Sequence, residues 1–228
     1  MDAGLTPLWI SIRTSLLATI ITFFLGIGTA YLVANYKGKG RGIIDSILTL
    51  PLVLPPTVLG FFLLLLFGKN GPAGKFLMNY FEINIIFSWA ATVIAAVVVA
   101  FPMMYRTCRS AFEQIDKNMI SAARTLGLSE TKIFFKIAMP LAWPGIIGGL
   151  VLSFARALGE FGATLMIAGN IPGKTQTMPV AIFFAVEGGD MNKAMLWVLI
   201  IVAISFIMIF LLNYWCDTQQ KIIGNRGR

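Results

Sequence analysis

Residues 118–140 read Asn-Met-Ile-Ser-Ala-Ala-Arg-Thr-Leu-Gly-Leu-Ser-Glu-Thr-Lys-Ile-Phe-Phe-Lys-Ile-Ala-Met-Pro, from Asn118 to Pro140. This is a long polar interruption between hydrophobic runs, and its residue order still specifies structure. Gly127 suits a helix C-terminus, where the chain often needs the left-handed region. Ser129 suits an N-cap, and Glu130 places a negative charge in the first turn of the helix that follows. Pro140 is expected to stop or bend that second helix. The stretch therefore predicts helix, glycine turn, helix. Small Ala122 and Ala123 precede the turn, and apolar Ile133, Phe134 and Ile137 follow it. An ordinary amphipathic pair on a surface would share these features.

Outward from this stretch the chain is hydrophobic. Of 228 residues, 57% are hydrophobic and only 12% charged, with a mean hydropathy of +0.82. Soluble domains are about a quarter charged. Several apolar runs reach about 20 residues, the length that crosses a bilayer as a helix. These properties specify an all-α, multi-pass protein of the cell membrane. The net charge of +8 does not call for nucleic acid, because Lys and Arg of membrane proteins collect in cytoplasmic loops. No histidine is present, which removes most zinc sites and the usual general base. No Gly-x-Ser-x-Gly motif or pair of acids at the inner face replaces them. No catalytic, cofactor-binding or metal-binding residue is expected. Cys108 and Cys216 fall near predicted cytoplasmic ends, where thiols stay reduced. The first apolar run lacks a basic leader and a cleavage site, and reads as an uncleaved span.

Five spans are predicted. The first runs from Ile10 to Ala34, with Gly26, Gly28 and Ala30 as small contact surfaces. Arg13 near its outer end either snorkels to the interface or pairs with an acid on a neighbour. Lys37-Gly38-Lys39-Gly40-Arg41 then marks a cytoplasmic loop. The second span, Ile43 to Phe67, contains Pro51, Pro55 and Pro56, which cannot all sit in an unbroken helix. Irregular backbone is not tolerated against lipid, so this break faces protein or a water-filled path. It is either a gate lining or a structural kink. Residues 68–84 read as an outer loop. The third span runs from Ile85 to Tyr105, with Phe101-Pro102 bending its inner end, and residues 106–140 form a cytoplasmic loop.

The fourth span starts near Leu141. Gly145 and Gly149 share one face beside Gly148 and favour close helix contact. Arg156 lies roughly 22 Å from its inner end, past the middle of the hydrocarbon core. Glu160 follows four residues later and can pair with it. Charges at this depth usually face a bundle interior or a water-filled cavity. Arg156, Gly159, Glu160 and Gly162 are therefore candidates, with Pro51, Pro55 and Pro56, for lining or gating a pathway. The charges themselves also suit a self-neutralising pair that fixes packing. Ala168–Thr175 almost spells a phosphate-binding loop, but it is predicted to lie outside, away from cytoplasmic ATP. Met178–Val186 is apolar and too short to span. It is a short helix at the outer surface or a re-entrant one. The fifth span runs from Ala194 to Trp215.

With the N-terminus outside and the C-terminus inside, inner loops hold twelve Lys and Arg and outer segments five, with Arg13 making up the eighteen. Trp9, Trp89 and Trp197 fall near the outer interface, and Trp143 and Trp215 near the inner one. The candidate turn at 118–136 lands in the cytoplasm.

The spacing of residues 118–140 resembles the coupling loop of ABC importer permeases: Glu-Ala-Ala, three residues, Gly, nine residues, Ile, one residue, Leu-Pro. Ala122, Ala123, Gly127, Ile137 and Pro140 match, while Ser121 stands for the usual Glu and Met139 for the usual Leu. Three further segments resemble the molybdate permease group: 50–56, 155–163 and 170–175. The 155–163 segment is also similar to sulfate permeases, and tungstate permeases are related. The resemblance implies a type I ABC importer permease fold, a single permease domain over 1–228 with a coupling loop at about 106–140. It implies a homodimer, two cytoplasmic ATPase subunits that use ATP-Mg, and an extracytoplasmic oxyanion-binding protein. On it, Ser121, Ala122, Ala123, Arg124, Gly127, Leu128 and Ser129 couple to the ATPase. Tungstate or sulfate in place of molybdate stays open, as does a non-transporting membrane anchor.

Overall fold

The computed structural model describes residues 5–225, with side chains through Leu211 and at Tyr214. Eleven helices follow in order: α1 (Thr6–Asn35), α2 (Arg41–Thr49), α3 (Pro56–Phe67), α4 (Pro72–Phe81), α5 (Trp89–Glu113), α6 (Lys117–Thr125), α7 (Glu130–Ile133), α8 (Met139–Leu158), α9 (Gly162–Ala168), α10 (Met178–Glu187) and α11 (Met191–Asn225). Among the described residues no strand occurs.

The burial pattern of α1 is that of a helix solvated by lipid. Its buried face carries Ser11, Thr14, Ser15, Ala18, Thr22, Gly26 and Ala30, while Leu16, Ile20, Phe24 and Leu32 face out. Bulky apolar side chains lose nothing against acyl chains, so small residues take the helix contacts. The buried hydroxyls are satisfied locally: Ser15 donates to the Ser11 carbonyl at 2.8 Å and Thr19 to that of Ser15 at 2.6 Å. At one end of the α1–α5 seam, Thr14 and Thr92 hydroxyls meet at 3.1 Å and Trp89 Nε1 donates to Thr14 at 3.0 Å. Among the described residues Arg13 pairs with no acid. Its guanidinium sits 4.0 Å from the Trp89 ring centroid, a cation–π contact.

Helix α5 is the centre of the bundle, packed between α1 and α8. A Cβ on Gly26 would lie 2.6 Å from Met104 Cγ, and one on Gly145 2.5 Å from Ala111 Cβ. Gly149 approaches Met104 and Thr107 of the same helix. Gly28 and Gly148 have nothing within 4 Å, so Gly28 is not the contact expected of it. Helix α10 packs on α1 and α11, and the Met178 amide donates to Ser11 Oγ at 2.7 Å.

Among the described residues four continuous helices are long and apolar enough to cross a membrane: α1, α5, the helix of residues 130–158, and α11. A bent pair of helices supplies a fifth apolar segment, which its length and composition suit to a broken span or a re-entrant loop. Residues 41–52 and α3 meet at 106°, with a 3₁₀ turn at Leu50–Leu52 before the break. The three prolines thus break the helix outright rather than kink it.

Several expectations change. Residues 68–84, read as a loop, contain α4, entered through Gly71 and Pro72 and closed by Glu82 in the left-handed region. Helix α5 continues past Tyr105 through Arg106 and Arg109 to Glu113, and Pro102 lies inside it. Pro140 does not end the helix that follows the Gly127 turn. A π-helical turn at Phe134–Ala138 precedes it, and the Met139 amide reaches back to the Phe134 carbonyl. The register shift lets proline enter as an N-terminal residue of α8, where its missing donor costs little. The helix that carries the fourth span therefore begins at Glu130, eleven residues ahead of Leu141. Trp197 does not sit in an interfacial belt: it is 1% exposed, packed with Leu158, Met178 and Ala181. Cys108 is buried and unpaired. The side chains of Trp215 and Cys216 lie outside the described residues.

The glycine contacts predict a paired result. Gly145→Val should lower the unfolding free energy in detergent by about 1–3 kcal/mol, since Ala111 cannot move aside. Gly148→Val, three residues on, should leave the thermal transition unchanged.

Candidate functional site

Two regions carry the residues singled out in the sequence. The first is the projection formed by α6, Gly127 and α7. Asp116 caps α6, its Oδ1 accepting from the Asn118 amide at 2.8 Å. The helix closes through Leu126 N to Ala122 O (3.0 Å), Gly127 N to Arg124 O (2.9 Å) and Leu128 N to Ala123 O (3.1 Å). Gly127 has φ +77°, which only glycine adopts without cost. Ser129 then caps α7, its hydroxyl accepting from Lys132 N at 3.4 Å. The helix, glycine turn, helix reading is therefore met at each of its local signals.

A clamp across this turn has no counterpart in the sequence reading. Arg124 Nε and Nη2 donate to the two Glu130 oxygens at 2.7 and 3.1 Å. This fork-to-fork geometry fixes orientation as well as charge. It ties α6 to α7 across the Gly127 turn. The opposite charges six residues apart, on either side of a glycine turn, were the available signal. Ala123 and Ile133 are buried and seat the pair on the bundle, while Ser121, Ala122, Arg124, Gly127 and Ser129 stay exposed and Leu128 is half-buried. Leu126 is 81% exposed at the turn, an apolar side chain on an otherwise polar projection.

Behind it, a charged brace joins α2 to α5. Tyr105 donates to Asp45 Oδ1 at 2.9 Å, Arg109 pairs with both Asp45 and Glu113 (2.8 Å to the latter), and Arg41 pairs with Glu113. Asp45 was passed over in the sequence as part of an apolar run. Its signal was an acid in a span whose neighbour ends in Arg106 and Arg109.

The second region brings the two interrupted segments together. Pro51 lies in the 3₁₀ turn, Pro55 is extended at ψ 137°, and Pro56 opens α3. Gly162 opens α9 directly against it: a Cβ there would lie 3.1 Å from Pro56 Cβ and 3.3 Å from Thr57 N. Gly60 of α3 lies as close to α9, with its Cβ position 2.9 Å from Ala163 Cα. The break in the second span thus packs on the break after the fourth.

Arg156 and Glu160 do pair, at 2.9 Å between Nη1 and Oε2, although the contact is off the line of a hydrogen bond. They do not share a helix face, because α8 ends at Leu158 and Glu160 lies in the link to α9. Glu160 is 2% exposed, and its Oε1 accepts from the Ala163 amide at 2.8 Å. One carboxylate therefore caps α9 and neutralises Arg156, which is how a charge is held at this depth. The Arg156 side chain remains 27% exposed, and Gly159 is exposed beside it. The phosphate-loop lookalike follows helix α9 rather than a strand, and Thr175 is spent on the Ile171 amide (3.0 Å) and the Gly169 carbonyl (3.3 Å). Among the described residues no cluster of three metal-ligating side chains occurs.

Glu160→Ala should cost about 3–5 kcal/mol of stability, because it strands Arg156 and uncaps α9. The double variant Arg156→Met/Glu160→Ala should recover part of that loss. Thermal denaturation of the parent, Arg156→Met, Glu160→Ala and the double variant in detergent reads the coupling.

Residues 15–225 match the family described as binding-protein-dependent transport system inner membrane component. The chain is 44% identical over 205 residues to the molybdenum transport system permease protein ModB of Escherichia coli (strain K12), covering 89% of this chain and 88% of that protein. It is 33% identical over 217 residues to the sulfate transport system permease protein CysT of Salmonella typhimurium, covering 95% and 76%. Its fold is shared with a bacterial alginate ABC transporter, solved in complex with an alginate pentasaccharide-bound periplasmic protein. The TM-score is 0.75 at 14% identity, over 94% of this chain and 78% of that one. With its broken second span and helical projection, the chain is a multi-pass inner-membrane protein of the type I ABC importer permease fold, and it belongs to the family of binding-protein-dependent transport system inner membrane components.

Proposed function

We propose that this chain moves molybdate into the cytoplasm, as a homodimer driven by two separate ATPase subunits and supplied by an extracytoplasmic oxyanion-binding protein. The observation that carries the substrate is the identity of 44% with a molybdenum permease against 33% with a sulfate permease, each over most of the chain. Tungstate, a metal oxyanion of the same shape and charge, is the runner-up. The chain binds no cofactor of its own, and ATP-Mg is consumed by the partner. The N-terminus lies outside and the C-terminus inside, on the strength of the charge bias.

In this reading Leu126 and its neighbours on the α6–α7 projection seat against the ATPase. Closure of the ATPases on ATP shifts α7. Residues 130–158 are one helix, about 43 Å long at 1.5 Å per residue, so the shift is carried to Arg156 and the α8–α9 link. There α9 moves with α3, and the paired breaks at Pro51, Pro55, Pro56 and Gly162 alternate the side on which the path opens. Arg156 contributes little net attraction for an anion, since Glu160 cancels most of its field. Selectivity then rests mainly with the binding protein.

The test is ATP-dependent uptake of labelled molybdate into proteoliposomes carrying this chain, its ATPase and its binding protein. Uptake should be blocked by tungstate and not by sulfate. Gly127→Leu, strained at φ +77° by roughly 1–2 kcal/mol, should insert normally yet lose uptake. Sulfate uptake without molybdate uptake would overturn the substrate, and full uptake by the Gly127 variant would overturn the coupling assignment.

A further inference from the structure

On the same side as the coupling projection, a cavity of about 620 Å³ opens between the end of α1, the start of α2, the end of α5 and α6. Its wall carries four cations, Lys37, Arg41, Lys117 and Arg124, against the single carboxylate of Glu113. Arg124 is neutralised by Glu130, and Glu113 is shared between Arg41 and Arg109. Among the described residues Lys37 and Lys117 pair with no carboxylate. Arg41 Nε is buried there without a hydrogen-bond partner. The cavity thus holds positive charge beyond what its own residues neutralise.

Its position is at the membrane boundary. Helix α1 exposes Phe24, Leu25 and Leu32 down to its last turn, and exposed Tyr36 and Lys37 follow at once. The inner wall is aromatic, with Tyr31 against Phe112 at 5.4 Å between centroids. An anion with an apolar neighbour fits such a wall. Basic pockets between spans on the cytoplasmic side are where anionic headgroups bind.

We propose that this cavity binds a phosphate-bearing anion at the inner membrane surface, held by Lys37, Lys117 and Arg41. That chemistry is common to the headgroup of an anionic phospholipid and to a free phosphate ester. Because Ser121 and Arg124 of the coupling projection line the same cavity, an occupant would steady α6 against α1. The placement at the inner surface rests on the orientation proposed above. The binding itself does not, so the two fail separately.

Native mass spectrometry of the full chain, purified in detergent with the subunits that accompany it, tests the site. The titrants are dioleoylphosphatidylglycerol, dioleoylphosphatidylcholine and soluble glycerol phosphate. Phosphatidylglycerol should bind in preference to phosphatidylcholine. Lys37→Gln/Lys117→Gln should weaken that binding by roughly thirtyfold, from two lost surface cations, while Lys69→Gln/Lys75→Gln should not. Competition by millimolar glycerol phosphate would assign a soluble ester as the occupant, and its failure to compete would assign the lipid. Equal binding of the two lipids with no binding of glycerol phosphate would overturn the proposal, whatever the variants do. So would undiminished binding to a folded Lys37→Gln/Lys117→Gln protein.

Discussion

Backbone that leaves a helix inside a membrane must find its hydrogen bonds and contacts in protein or water, because lipid offers none. This chain leaves its helices twice at that level, at residues 50–55 and at 159–161. It meets the constraint by packing one interruption on the other. Gly162 allows α9 to start against Pro56, and Gly60 allows α3 to lie along Ala163. Glu160 closes the arrangement by capping α9 and balancing Arg156 with the same carboxylate. Each piece depends on the others. A side chain at Gly162 would separate the two breaks, and loss of Glu160 would leave both an uncapped helix and an uncompensated cation.

The cytoplasmic end is organised by different physics, since water is available there. Local capping does the work: Asp116 on α6, glycine in the left-handed region, Ser129 on α7, and the Arg124–Glu130 fork across the turn. Exposed ion pairs contribute little stability. Their use here is to keep two short helices as one unit whose Ala123 and Ile133 sit in the bundle. The π-helical turn at 134–138 then joins that unit to α8 without a break. A contact at the tip and a contact at the α8–α9 link therefore belong to one continuous backbone.

What could be read in the sequence follows from how far each signal reaches. The coupling turn was legible because its determinants lie within a few residues of one another. The break at Pro51, Pro55 and Pro56 was legible because proline acts on its own backbone. The Gly145 and Gly149 contacts followed from their spacing on one face. Features set by distant partners were not legible. Asp45 reads as a stray acid until α5 brings Arg109 and Tyr105 to it. Trp197 reads as interfacial until α10 folds over it. Helix α5 was ended too early because Arg106 and Arg109 look like loop residues, when their partners are on α2. Pro140 misled for a local reason, since a π-helical turn relieves the clash that an α-helix would suffer.

In the proposed mechanism the α6–α7 projection and the pathway are linked through the continuous helix of residues 130–158. Phe135 and Lys136 are exposed, so replacing both with glycine removes little packing and loosens that helix by about 1 kcal/mol per residue. The decisive measurement is ATP hydrolysis and molybdate uptake, taken together, in the assembled Phe135→Gly/Lys136→Gly transporter. Hydrolysis should persist and uptake should fall well below the parent. Uptake that stays in its parental ratio to hydrolysis would contradict a link through this helix.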